Sequence, residues 1–157
     1  MKNKHAADSQ YFRKRLEAFI HERHPRLEHA VRLIDNRSEL AAETYRGAIL
    51  AGVGPMVAIS KADAVLYEGL IFSRFDTIRC ILATEFPLIP PNRQRRIAME
   101  LEQSCSEIFE KYNLDDGLVQ RSEYNHLIME LITACRNFFD RNPLLLRRMG
   151  RPTHKNE

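Results

Sequence analysis

Ser122-Glu123-Tyr124-Asn125-His126-Leu127-Ile128-Met129-Glu130-Leu131-Ile132-Thr133-Ala134-Cys135-Arg136-Asn137-Phe138-Phe139 is the stretch whose reading decides the fold. Its apolar residues Tyr124, Leu127, Ile128, Leu131, Ile132, Cys135, Phe138 and Phe139 recur three and four apart, the period of a helix with one buried face. Ser122 starts this helix and Asn142-Pro143 ends it, since proline drives the residue before it out of the helical region.

The same period runs back through the chain. Asp8 or Ser9 caps a first helix that reaches about Arg23, with Phe12, Leu16, Phe19 and Ile20 on one face. His24-Pro25 stops it. A second helix covers about Leu27 to Ala51 along Val31, Ile34, Ala41, Tyr45, Ala48 and Ile49; Asp35-Asn36-Arg37-Ser38 interrupts the line and leaves room for a break. Gly52 is placed to end it, and Gly54-Pro55 starts the next helix, because proline is tolerated in a first turn. Ser73 followed by Asp76 resembles a capping box opening a fourth helix that buries Phe75, Ile78, Ile81, Leu82 and Phe86. Pro87-Leu88-Ile89-Pro90-Pro91 reads as a stiff linker. A fifth helix follows from about Asn92 to Tyr112, and Asn113-Leu114-Asp115-Asp116-Gly117 is a turn. No segment alternates with the period of a strand. The expected fold is all-α, a single-domain bundle of five to six helices, with a flexible arm at residues 1–8, the domain at 9–142 and a basic tail at 143–157.

Bulk properties agree with one domain. A chain of 157 residues, 44% hydrophobic and 29% charged, has ordinary globular composition. No apolar run approaches the ~18 residues of a membrane-spanning helix. Met1-Lys2-Asn3-Lys4-His5 has no apolar segment behind it, so no signal peptide, no membrane partner and a cytoplasmic location are expected. Cys80, Cys105 and Cys135 are odd in number, far apart and set among apolar neighbours, which reads as buried free thiols. The net charge of +3 is uneven: nine Lys/Arg stand against five Asp/Glu over residues 1–37, eleven against fifteen over 38–141, and four against one over 142–157. Basic ends around an acidic middle allow polyanion contact or self-association.

Val65-Leu66-Tyr67-Glu68-Gly69-Leu70-Ile71-Phe72-Ser73-Arg74-Phe75-Asp76-Thr77 joins two of the helices. Taken with Tyr11-Phe12-Arg13, His24-Pro25, Ala41-Ala42-Glu43-Thr44-Tyr45, Glu85-Phe86, Cys105, Ile108-Phe109, Tyr112, Leu114 and Glu123-Tyr124, it resembles an uncharacterised family of small helical bacterial proteins. Members of that family occur in anaerobic gut and oral bacteria, often near conjugative transposons. Glu68, Gly69, Leu70, Phe72, Ser73, Asp76 and Thr77 carry the most specific part of the similarity, which covers roughly residues 10–140. The resemblance implies an all-helical fold and supplies no activity, the family being a domain of unknown function. Arg93-Gln94-Arg95-Arg96 and the tail after Pro143 are more basic than the resemblance leads one to expect.

Each chemical reading competes with a structural one. Glu68, Asp76 and Glu85 could serve a carboxylate-based hydrolase, which needs two carboxyls facing across a cleft. Capping by Ser73, first-turn charge at Asp76 and a tight turn at Gly69 account for the same residues more simply. His21, His24 and His29 lack the converging ligands of a zinc site, and the H-E-x-x-H spacing is absent. There is no G-x-S-x-G and no phosphate-binding glycine loop; Gly52-x-Gly54-Pro55 is a helix–helix turn. No catalytic residue, metal or cofactor is expected. Arg93, Arg95, Arg96, Arg147, Arg148 and Arg151 are the candidates for polyanion contact, provided that they share a face. Leu88 and Ile89, with Leu144, Leu145 and Leu146, place large apolar side chains beside prolines and form the candidate interaction patch for a protein partner or a homodimer. The expected function is therefore that of a non-enzymatic, protein-binding accessory domain. The alternative is a nucleic-acid-associated accessory factor of a mobile element.

Overall fold

The computed structural model describes residues 7–150, with side chains through Leu146. The expected N-terminal arm, apart from Ala7 and Asp8, and residues 151–157 of the expected tail lie outside the described residues. Eight α-helices, more than the five to six expected, make up the described chain, and no strand occurs among the described residues: α1 (Ser9–Arg23), α2 (Val31–Leu50), α3 (Pro55–Leu66), α4 (Arg74–Glu85), α5 (Pro91–Ser104), α6 (Ser106–Phe109), α7 (Glu123–Arg141) and α8 (Pro143–Gly150). The helices belong to two compact units, Met1–Ile71 and Phe72–Glu157, each with its own hydrophobic cluster.

In the first unit the Asp8 carboxylate accepts the Tyr11 N–H at 2.9 Å and caps α1. Phe12, Leu16 and Ile20 are buried at helical spacing against Ile34, Ala41 and Ala42 of α2 and Ala62 and Leu66 of α3. The break expected at residues 35–38 of α2 does not occur, because each polar side chain there has a use. Asp35 pairs with Arg13, Ser38 donates to the Ile34 carbonyl at 2.6 Å, and Arg37 reaches α3. Leu27 lies in a 3-10 turn over Pro25–Leu27, so α2 starts later than its apolar line suggested. Arg15 forms a two-pronged ion pair with Asp63 at 2.7 and 3.0 Å, tying α1 to α3. Only Ala58, Ala62 and Leu66 of the twelve residues of α3 are buried.

In the second unit Phe75, Ile78, Ile81 and Leu82 of α4 pack in one cluster with Ile97, Ala98 and Leu101 of α5, and with Leu127, Leu131, Cys135 and Phe139 of α7. The apolar stripe Leu127, Leu131, Cys135 and Phe139 is thus the buried face of α7. The fifth helix ends earlier than expected. It breaks at Cys105, and a four-residue helix, α6, follows. Arg74 sits at this break. It donates to the Glu102 carbonyl at 3.2 Å, which a continuous helix would offer to the N–H of Ser106, and to Ser106 Oγ at 3.0 Å. Its guanidinium also covers the Phe109 ring at 4.8 Å and approaches the buried Glu102 carboxylate at 3.5 Å.

The tail is not a loose extension at its start. Residues 143–150 form α8, because Pro143 stands in the first turn, where its missing N–H costs nothing. Cys80 also departs from expectation. Cys105 and Cys135 are buried, but Cys80 is exposed, since the inward face of α4 is already held by Ile78, Ile81 and Leu82. Burial pushes the Cys105 thiol up, and pushes Cys135 up to about 12 with Cys105 adding to the effect. In native protein at pH 8 a thiol-titrating reagent is expected to modify one cysteine quickly, and all three only after denaturation. Rapid modification of two or more would contradict this placement.

Candidate functional site

The Val65–Thr77 stretch is held almost entirely through its backbone. Arg37 Nη1 donates to the carbonyls of Val65, Leu66 and Glu68 at 3.3, 3.2 and 2.7 Å. A helix ends with orphan carbonyls, and a guanidinium brought in from α2 satisfies those of α3. Gly69 then turns the chain at φ +77°, a conformation in which a side chain is strained. His24 Nε2 donates to the Leu70 carbonyl at 2.7 Å, which places a proton on that nitrogen, and Arg23 donates to the Ile71 carbonyl at 3.1 Å. The His24 ring packs on Phe19, which in turn packs on Tyr67. The segment leaves the first unit clasped by three side chains from α1, its C-cap and α2.

The remaining residues of the stretch belong to the second unit and begin α4. Ser73 Oγ accepts the Asp76 N–H at 2.9 Å, and Thr77 Oγ1 donates to the Ser73 carbonyl at 2.7 Å. Asp76 lies in the first turn, where negative charge suits the helix dipole. Phe72 is buried against Phe109. Capping and turn geometry use the residues that the family-like motif singles out.

Asp76 and Glu85 do not form a catalytic pair. Asp76 and Glu85 stand at opposite ends of α4, nine residues and so about 13 Å apart along the axis, and Glu85 pairs with Arg136 at 3.6 Å. Glu68 is exposed and belongs to the other unit. Two of the three candidate histidines are likewise engaged: His21 meets Glu28, and His24 holds Leu70. Gly69→Ala is expected to cost about 1–2 kcal/mol in urea unfolding. No atom lies near the position of the new Cβ, so the whole cost is that of the backbone conformation.

The arginine candidates are not all available to a polyanion. Arg95 lies half-buried over the Phe75 ring at 5.4 Å, a ring that Arg79 also covers, whereas Arg93 and Arg96 are exposed. The side chains of Arg147, Arg148 and Arg151 lie outside the described residues. The apolar candidates need correction too. Ile89 is buried in the second core, and Leu145 and Leu146 pack against it, because the linker and α8 close over the cluster. Leu88 and Leu144 remain exposed.

A different surface stands out at the turn between α2 and α3. Leu50 is 88% exposed and Met56 86%, with Val57, Ala51 and Pro55 also exposed. Burying a large apolar side chain gains about 1.5–3 kcal/mol, so leaving two of them in water forfeits a sizeable stabilisation. A cleft of about 240 Å³ opens between Pro55, Met56 and Ile59. The backbone at the tip is nevertheless closed off. Ala51 N–H donates to Gly47 O, Gly52 N–H to Ile49 O and Val53 N–H to Ala48 O, with Gly52 at φ +90°. Reading the segment as a helix–helix turn passed over this surface, but a signal for it was present. From Gly47 to Ile59 thirteen consecutive residues have no polar side chain.

In the second unit a cleft of about 410 Å³ runs beside α7, lined by Ile108, Met129, Glu130, Thr133, Ala134 and Asn137. Lys111 and Tyr112 both donate to Glu130 and hold its carboxyl below the usual range. Among the described residues no helix is long and apolar enough to cross a membrane, and no cluster of His, Cys, Asp and Glu could hold a metal ion.

Comparison with known proteins gives kinship without an activity. The chain is 32% identical to protein PG0816 from Porphyromonas gingivalis, whose crystal structure matches it with a TM-score of 0.76 over 94% of this chain and 96% of that one. No curated protein matches. A family model matches residues 4–144, and the chain therefore belongs to the family described as a domain of unknown function, DUF1896.

Proposed function

We propose that this chain is a non-enzymatic accessory domain of the cytoplasm that works by binding another protein, and that the α2–α3 tip is its contact surface. The observation that carries the proposal is the contrast within α3. Nine of its twelve residues are apolar, yet only three are buried. A helix apolar on nearly every side is ordinarily surrounded by protein. Here the surface left over gathers at one extremity, with Leu50, Met56 and Val57 at its centre. Exposed apolar patches of this kind mark contact sites in soluble proteins.

The polar groups support the same reading from the other side. Glu68 lends its carbonyl to a turn, and Ser73, Asp76, Thr77 and Glu85 sit in a cap, a first turn and an ion pair of α4. Arg95 is engaged with Phe75, which weakens the nucleic-acid alternative.

Size-exclusion chromatography with light scattering, on the full chain before and after mixing with the protein it retains from native cells, tests the proposal. A complex of defined stoichiometry is expected, lost on Met56→Asp with an unchanged melting temperature. A complex that survives Met56→Asp, or a chain that forms none, would overturn it.

A further inference from the structure

We infer that the partner of the α2–α3 tip is a different protein, one that offers an apolar groove rimmed by carboxylates. This inference rests on the tip being a protein-binding surface and adds the chemistry of what it meets. From Thr44 to Ala62 the chain carries two charged residues, Arg46 and Lys61, and no Asp or Glu. Both are exposed, and neither forms an ion pair among the described residues. Three other arginines of the same unit are occupied, Arg13 by Glu17 and Asp35, Arg15 by Asp63, and Arg37 by the carbonyls of Val65, Leu66 and Glu68, whereas Arg32 is exposed like Arg46. Unpaired cations therefore flank the one large apolar surface of α3. The nearest acids in sequence, Glu43 and Asp63, lie farther from the tip than these cations do, and Asp63 is already paired.

The spacing resembles the anatomy of an interface, with an apolar centre and a polar rim. Arg46 stands four residues before Leu50, about 6 Å back along α2, and Lys61 five residues after Met56, about 7.5 Å along α3. A groove that takes the tip to that depth brings its own rim level with both cations. Carboxylates are the complement of that pattern.

Two other occupants fit less well. A second copy would bring like-charged tips together, four unpaired cations around one contact. An anionic bilayer would satisfy the cations, but the tip lacks the Trp and Tyr that favour the membrane interface.

The test places a photo-crosslinking amino acid at Val57 of the full chain, irradiates it in native cell extract and maps the adducts by mass spectrometry. The expected adduct is with one other protein, in a segment where apolar residues adjoin Asp or Glu. Its yield should fall about tenfold in the Arg46→Glu/Lys61→Glu double variant and be retained in Lys61→Arg. An adduct insensitive to the charge reversal would overturn the carboxylate rim and leave protein binding intact. An adduct with a second copy would overturn the choice of partner alone. Sedimentation with 3:1 phosphatidylcholine–phosphatidylglycerol vesicles and no protein adduct, or no adduct of any kind, would overturn both.

Discussion

Phe109→Ala is expected to destabilise the protein by about 3–5 kcal/mol, measured as a shift in urea unfolding at constant slope. Phe109 has no exposed surface and packs against Phe72, with ring centroids 6.4 Å apart. The Arg74 guanidinium lies over the ring at 4.8 Å, anchored at the α5–α6 break. Removing the ring opens a cavity and takes away the surface on which that cation rests, so the helix break loses its support as well. Phe109→Leu, which keeps most of the volume, should cost less than half as much. A loss below 1 kcal/mol for alanine would mean that the site is not packed as described.

Arg37→Ala is expected to cost about 2–3 kcal/mol. Three carbonyls at the end of α3 lose a charged donor, and only water can replace it. The effect should be local. Amide exchange over residues 66–71 should accelerate well before that of α5 or α7, as expected when one helix end frays within an otherwise folded unit. Arg37→Lys should recover part of the loss, because an ammonium keeps the charge and three N–H donors but stands on a shorter stem. Unchanged protection over 66–71 would show that the clasp holds nothing.

The two variants bear on what the sequence discloses. The all-α class and most helix limits were legible, since they depend on local rules: the three-and-four spacing of Leu127, Leu131 and Cys135, the Asp8 and Ser73 caps, and the stops at His24-Pro25 and Asn142-Pro143. The errors arose where a distant residue decides a local outcome. The polar run Asp35–Ser38 suggests a break until Arg13 and the α3 carbonyls are seen to take up its side chains. The continuous apolar line from Ile97 to Tyr112 conceals the break at Cys105, which Arg74 accompanies from another helix. Ile89 looked like an exposed anchor between prolines, yet the chain folds it into the core.

The motif residues were identified, but their roles are clearest from the backbone. Glu68 contributes its carbonyl, Leu70 its carbonyl as well as its side chain, and Gly69 a positive φ. The contact surface was passed over for a related reason. Apolar residues at helical spacing ordinarily signal a core, and the sequence of α3 does not reveal that its neighbours bury only Ala58, Ala62 and Leu66.

The most direct test of the account sets the tip against the motif carboxylates in one binding measurement. Affinity for the partner retained from native cells should be measured by calorimetry for Leu50→Asp/Met56→Asp and for Glu68→Gln/Asp76→Asn/Glu85→Gln. The tip variant is expected to lose binding at least about a hundredfold while keeping its fold, and the carboxylate variant to bind like the parent. Binding that survives the tip variant and fails in the carboxylate variant would contradict it.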